Sequence, residues 1–468
     1  MIYDTLIINA RAVTLDGVRP LTLALQGGQI AALLAPGTAA DTRETIDAGG
    51  QLVMPGAIDI HFHCRAPAYP QRGDFATETR AAAAGGVTTI FEMPISKPCC
   101  ATVEIFRNRR ALGERDAYVN FALYGAPGLL DAREVQGMAD EGAIAFKIFM
   151  TGAPAGRNDE FEGLCLPDEE NLYQGLKLVR ETGLVCSVHA ENNRLLEWLA
   201  AQLVAAGRND IAAHNESRPP MVEALAVATL LTMNEDLRMN LHIAHVSSQA
   251  TLDVIRRFAK PDSTTTAETC PHYLLFTESD LHRVGPYAKI NPPLRKDEDR
   301  AALWGGITDG TLKFITTDHS PFTVEEKERA RTDLWKTPPG APGVEELVLM
   351  AMDAALSGKF SIEQAVQLIS TNGAKRFGLY PRKGAITVGA DADLTFYNPD
   401  LQTTITQKTL FSKAKGCDKL YEGRSFQGRV TRTLVGGRTV FVDGQIVGEP
   451  GWGKFTRPNL DAIYRSLP

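Results

Sequence analysis

The chain has 468 residues, 44% hydrophobic and 22% charged, which fits a folded globular protein and excludes a disordered or fibrous one. Its net charge of −7 comes without a Lys/Arg cluster, so the electrostatic footprint of a nucleic-acid binder is missing. No apolar run is long enough to span a bilayer, and the start lacks a basic segment followed by an apolar one, so neither a membrane partner nor a secretory leader is expected. Seven cysteines, an odd number without a Cys-x-x-Cys, argue for reduced thiols in a cytoplasmic protein.

Residues 1–55 read as short β segments, Thr5 to Asn9, Leu21 to Leu25 and Gln29 to Leu34, separated by Asp-Gly and Gly-Gly turns. After Gly56 the pattern becomes apolar strand, polar turn, amphipathic helix, repeated. Eight strands are expected: Ala57 to His63, Val87 to Met93, Val119 to Tyr124, Ile144 to Phe149, Val185 to Ala190, Leu241 to Val246, Thr264 to Thr269 and Leu312 to Asp318. Helical patterns lie between them, at Phe75 to Ala84, Asp168 to Thr182, Arg194 to Ala206, Met221 to Met233 and Gln249 to Phe258. Eight units without a Gly-x-Gly-x-x-Gly fingerprint favour a closed (β/α)8 TIM barrel over an open doubly wound sheet, with residues 56–378 as its extent. Two more helices, Val344 to Leu356 and Ile362 to Phe377, close that region. From 379 to 468 the β texture returns, at Gly384 to Gly389, Asp393 to Tyr397 and Val430 to Val442, before what reads as an exposed tail. Both chain ends are therefore expected to build one small β-sandwich-like domain.

The chemistry of such a barrel sits at the C-terminal strand ends. His61 and His63 share one face of the first strand, and Asp59 has the same parity. Lys147 lies inside Ala145-Phe-Lys-Ile-Phe-Met150, where an unpaired ammonium would lose its proton. His189, His245 and Asp318 end the fifth, sixth and eighth strands. Each alone has an ordinary explanation, as a core histidine or a turn cap, but five strands delivering ligand types to one rim point to a metal centre. A neutral lysine amine can also take up carbon dioxide, giving a carbamate whose two oxygens can bridge two cations.

His61-x-His63, Lys147, His189, His245 and Asp318, in that order along a barrel, resemble the binuclear branch of the amidohydrolase superfamily. The nearer resemblance is to the cyclic amidohydrolases, namely allantoinase, dihydroorotase and dihydropyrimidinase or hydantoinase. Met54-Pro-Gly-Ala-Ile-Asp-Ile-His-Phe-His63, Gly85-Gly-Val-Thr-Thr-Ile-Phe-Glu-Met-Pro94, Val188-His-Ala-Glu-Asn192, His245-Val-Ser-Ser248, Glu268-Thr-Cys-Pro-His-Tyr273, Asn291-Pro-Pro-Leu-Arg295 and Thr317-Asp-His-Ser-Pro321 carry it. It implies that His61, His63, Lys147 and Asp318 hold one divalent metal, zinc, and that Lys147, His189 and His245 hold the other. Lys147 would carry the bridging carbamate (N6-carboxylysine). It also implies a β domain from both termini and a homo-oligomer, a dimer or tetramer.

The expected reaction is hydrolytic opening of a small cyclic amide, with Asp318 passing a proton to the leaving ring nitrogen. Arg65 has the parity of His63 and fits the dihydroorotase pattern His-x-His-x-Arg, which suits a substrate carboxylate. Met93-Pro-Ile-Ser96 lacks the Asn of that family, and Phe322 stands where it often has His. The hydantoinase Tyr beyond the bridging Lys is absent, since Thr151 and Gly152 follow Met150. The motifs look most like allantoinase, and Asn291 and His272 join Arg65 as candidate substrate contacts. A scaffold relative without catalysis would lack several ligands, and a mononuclear deaminase would lack the bridging lysine; this chain keeps all six ligand positions. His242 and His319, of opposite parity to their neighbours, are expected to face helices, and His214 and His282 to be surface residues. Asp59 is either a carboxylate orienting an imidazole or a buried anchor. Gly152 to Pro167 and Thr323 to Gly343 read as lids, with Trp335 as an apolar wall and Glu325 to Arg331 as a solvated helix face.

Overall fold

The computed structural model describes residues 2–154, 156–260, 262–332 and 334–464. Five strands precede the barrel: β1 (Tyr3–Thr14), β2 (Gly17–Gln26), β3 (Gln29–Leu34), β4 (Thr42–Asp47) and β5 (Leu52–Pro55). Four follow it: β14 (Leu394–Thr404), β15 (Ser425–Val435), β16 (Arg438–Val442) and β17 (Gln445–Ile446). They form one nine-stranded sheet, β17-β16-β15-β14-β5-β1-β2-β3 with β4 beside β1, and the two chain ends meet where β14 pairs antiparallel with β5. Ile7, Leu23, Ile30, Val53, Leu394 and Leu434 form its core. The predicted strand at Gly384 to Gly389 is instead a series of turns, bent by left-handed backbone at both glycines (φ 75° and 89°).

Between the two halves run eight parallel strands: β6 (Ala57–Phe62), β7 (Val87–Glu92), β8 (Asn120–Gly125), β9 (Ala145–Phe149), β10 (Val185–His189), β11 (Leu241–Ile243), β12 (Thr265–Thr269) and β13 (Phe314–Ile315). Nearly every residue in them is buried, as expected where helices cover one face and the barrel interior fills the other. The first and last strands meet past their ends, where the His63 N–H donates to the carbonyl of His319 (3.0 Å) and Phe62 bridges His319 in parallel. Phe377 fills the lower barrel, its ring 5.2 Å from Phe91, 6.4 Å from Tyr124 and 6.1 Å from His242.

The helices Phe75–Ala84 and Gln249–Phe258 have the predicted bounds, and each starts on a side-chain cap, Asp74 and Ser248. Helix Ile362–Val366 continues through a π-helical turn, Gln367–Thr371, into Asn372–Arg376. The chain end packs rather than trails as far as it is described. Phe455 bridges Phe121 and lies 5.7 Å from its ring, and the carbonyl of Tyr464 accepts from Arg376. The last four residues of the expected tail lie outside the described ones.

Candidate metal centre

Strand β6 delivers His61 and, one residue past its end, His63; both are buried. Nε2 of His61 and Nε2 of His63 lie 3.2 and 3.3 Å from the same oxygen of Asp318, and the ligand atoms of these three residues all fall within 4.8 Å of one another. Nδ1 of His189 sits 2.9 Å from Nε2 of His245, and the rings of His245 and His61 are 5.3 Å apart. The expected histidines and carboxylate thus converge. Two of them do so in a way the strand pattern does not encode: His245 and Asp318 lie beyond β11 and β13 on left-handed backbone, φ 36° and 48°. That reversal aims each side chain inward irrespective of strand parity.

The same reversal corrects the reading of His242. It pairs in register with Ser187, which pairs with Lys147, so its ring faces the barrel interior rather than a helix. There Nε2 contacts Glu268 (2.9 Å) and Nδ1 contacts Thr266 (2.8 Å). His319 does turn outward, stacking on Phe62 at 4.8 Å with Nε2 2.9 Å from Glu78 on the first helix. His282 is exposed, but His214 is buried with Nε2 2.9 Å from the carbonyl of Ile290. The run at 325–331 is solvated only in part, since Glu326 and Lys327 are buried.

Lys147 is fully buried, and its Nζ has no hydrogen-bond partner among the described residues. Burial lowers its pKa to about 8, with Glu268 and Asp318 acting against the shift. Two of the imidazoles are held neutral: burial and Arg65 push His63 down to about 3, and burial and His189 push His245 well below the usual range. Neutral imidazole is the form that can ligate a metal. For Asp318, burial works toward a raised pKa, yet His61, His63 and His245 hold the carboxyl well below its ordinary value.

Two carboxylates that the sequence reading missed complete the frame. Glu268 on β12 lies 2.5 Å from Nδ1 of His61 and accepts the His245 N–H at 3.1 Å, while Glu191 lies 2.9 Å from Nε2 of His189 and also takes Arg218. The sequence signal was there for Glu268: a charge inside a buried strand, the same signal that singled out Lys147. Asp59 is an anchor rather than an imidazole partner. Register shifts in β6 turn it to the end of β13, where it accepts from both Thr316 and Thr317 hydroxyls and the Thr317 N–H.

Above the cluster opens a cavity of about 260 Å³, lined among others by His61, His63, Arg65, His189, Asn291 and Trp335. Arg65 is buried; Nη2 donates to Ser320, and the guanidinium lies 4.7 Å over the Phe322 ring, while Nε and Nη1 have no partner among the described residues. Asn291 Oδ1 is likewise buried without a partner. His272 is buried on the short helix Pro271–Leu275, outside the cavity lining, and burial pushes it down to about 4. Thr151 and Gly152 stand in the wall beyond Lys147. Both long loops contribute to the lining, and Arg72 ties them together, bridging Glu160 of the first (3.3 Å) and Glu326 of the second (2.7 Å).

A model described as the amidohydrolase family matches residues 52–440. L-hydantoinase from Paenarthrobacter aurescens is 34% identical over 465 residues, 98% of this chain and 99% of that protein. An allantoinase from Rubrobacter xylanophilus is 36% identical over 462 residues, 97% and 98% of the two chains. Among solved structures, the L-hydantoinase (dihydropyrimidinase) from Arthrobacter aurescens aligns with a TM-score of 0.91 at 33% identity, covering 97% of this chain and 100% of that one. With its barrel, its two-ended sheet and the rim just described, the chain belongs to the amidohydrolase family, in the branch of the cyclic amidohydrolases.

Proposed function

We propose that the chain is a binuclear metal-dependent hydrolase that opens the C–N bond of a small cyclic ureide or imide, with allantoin as the first candidate and a hydantoin as the second. The observation that carries this is the buried Lys147 amine, without a partner among the described residues and close enough to Asp318, His189 and His245 to interact electrostatically with each, beside the His61, His63 and Asp318 cluster. His61, His63 and Asp318 would hold one cation, zinc by their donor types, and His189 and His245 the other. Lys147, as its carbamate, would serve both. An amine whose pKa lies near 8 is partly neutral at physiological pH, the form that adds carbon dioxide. Two such cations would supply Lewis acidity toward the scissile carbonyl and lower the pKa of water.

The chain's own residues do the rest. Asp318, kept ionised by its three histidines, can accept a proton at the carboxylate oxygen facing the cavity and hand it to the leaving ring nitrogen. Arg65, through Nε and Nη1, and Asn291 are the proposed substrate contacts in the wall, and His272 behind it is a third. A guanidinium with two nitrogens left without a partner among the described residues suits a ureido carbonyl or a carboxylate. Were the substrate an acid, dihydroorotate would be the alternative to these two. The relatives named allantoinase and hydantoinase support the ureide.

In this proposal residues 56–378 are the metal-binding barrel, and 1–55 and 379–468 the β domain. Two further points belong to it. Seven cysteines free of disulfides support a cytoplasmic setting. Helix Asn193–Ala205, which has no buried residue and exposes Trp198 by 58%, supports a homo-oligomer. Purified protein is expected to hold two metals per chain and to open one of allantoin, dihydroorotate, hydantoin or dihydrouracil. Fewer than one metal per chain after growth with zinc and bicarbonate, or a metal-loaded protein inert to all four, would overturn the reading; such inertness would favour a non-catalytic scaffold.

A further inference from the structure

One carboxylate reaches both halves of the centre. Glu268 contacts Nδ1 of His61 (2.5 Å) and accepts the backbone N–H of His245 (3.1 Å) through Oε1, and contacts Nε2 of His242 (2.9 Å) through Oε2. Glu268 and His242 are both fully enclosed, at 1% and 0% exposure. The ionised Glu268 can only accept, so Nε2 of His242 donates to it, and Nδ1 meets the Thr266 hydroxyl, which can donate, at 2.8 Å. Three contacts of Glu268 are thus directed: one toward a β6 imidazole, one toward the left-handed turn that carries His245, and one toward a histidine that holds no metal in the proposed scheme.

We propose that Glu268 is the positioning residue common to both metal positions, fixing the His61 tautomer with Nε2 free and clamping the backbone that presents His245. This rests on the two-metal reading above. A carboxylate on a ligating imidazole fixes its ring and raises its basicity. Glu268 differs from Glu191, which reaches one proposed ligand, the imidazole of His189, and otherwise pairs with Arg218. It holds one position through a side chain and the other through the main chain, so the two cannot be tuned separately.

The test is stepwise zinc binding to the chelated protein, followed by competition with a chromogenic chelator, in wild type, Glu268→Gln and Glu191→Gln. Wild type is expected to take two ions; Glu268→Gln to weaken both steps, by about 10- to 100-fold as for other residues that orient ligands; and Glu191→Gln to weaken one. Weakening of a single step, or none, in Glu268→Gln overturns the inference while two-step binding in wild type leaves the proposed function standing. One step or none in wild type overturns both. Should Glu268→Gln fail to fold, the His242 variants read the same relay. His242→Phe removes the donor to Oε2 and should weaken both steps, and His242→Gln, which keeps a donor, should restore them; equal binding by the two overturns the inference.

Discussion

Lys147 is the side chain on which the proposed centre depends most directly. Lys147→Ala leaves the histidines but removes the amine proposed to serve both cations, so metal content is expected to fall below two per chain. Ring-opening activity should fall by more than the roughly 100-fold typical of residues that merely orient ligands; elemental analysis beside the substrate panel checks both. Arg65→Ala should act differently. It removes two buried nitrogens without a protein partner from a residue that lines the cavity, so KM should rise about 10- to 100-fold, the loss of charge-assisted hydrogen bonds, with kcat little changed. Strong turnover of hydantoin, unchanged in Arg65→Ala, would remove this residue from the substrate site. At this scale the ligand types were readable, because a lysine in an apolar strand and histidines at strand ends are rare enough to stand out. Their directions were not. Parity held for His61 and His63, yet the left-handed turns at His245 and Asp318 cannot be read from an alternating pattern, and the same blindness put His242 on the wrong face.

Among the elements, β13 is the shortest barrel strand, two residues long, and Asp59 on β6 secures the segment that follows it. Asp59→Ala would leave the Thr316 and Thr317 hydroxyls and the Thr317 N–H buried without their acceptor. A loss of roughly 2–4 kcal/mol is expected, summing the desolvation of groups left unsatisfied. Melting of the chelated protein should show it, so that metal release cannot account for the change. All eight barrel strands were legible as apolar runs, but the readings overshot β11 and β13, since burial continues past the last ladder hydrogen bond. Strand β4 was invisible for the opposite reason: Thr42–Asp47 is largely exposed and polar, and it forms only by pairing in parallel with β1. The two long loops are legible as loops, but their fastening through Arg72 depends on residues more than 80 positions apart.

At the level of the whole molecule, the barrel and the C-terminal segment share a buried pair of acids. Glu346 precedes helix Leu347–Leu356, Asp418 follows the short turn Lys415–Cys417, and the two side chains bond each other with Glu345, Lys419, Tyr421 and Glu422 nearby. Burial pushes Asp418 up to about 7 and Glu346 well above the carboxylate range. Raised acids hold protons that the unfolded chain has released, so their contribution is complete below about pH 4 and declines as pH rises through the folded values. Glu346→Gln, which substitutes a permanent donor, is therefore expected to flatten the fall in melting temperature between pH 5 and 8. An unchanged slope would show that the pair does not share a proton. A second test at this scale concerns the bare helix: Trp198→Glu should shift the particle measured by sedimentation toward the single chain. The two-ended sheet could be foreseen from matching textures at both termini, whereas the acid pair joins distant stretches that carry no common pattern.

The closure between the first and last strands has one more implication. Among the described residues its main-chain links are one hydrogen bond, His63 to His319, and one bridge, at Phe62, so beside the side-chain bonds of Asp59 it has the fewest paired residues of any joint between staves in the barrel. The proposed cation would sit across that joint, with His61 and His63 on one stave and Asp318 on the other, and would act as its hoop. Metal loading should therefore slow amide exchange at His63 far more than at the lower barrel, and stripping the metal should make this joint the first place the fold breathes.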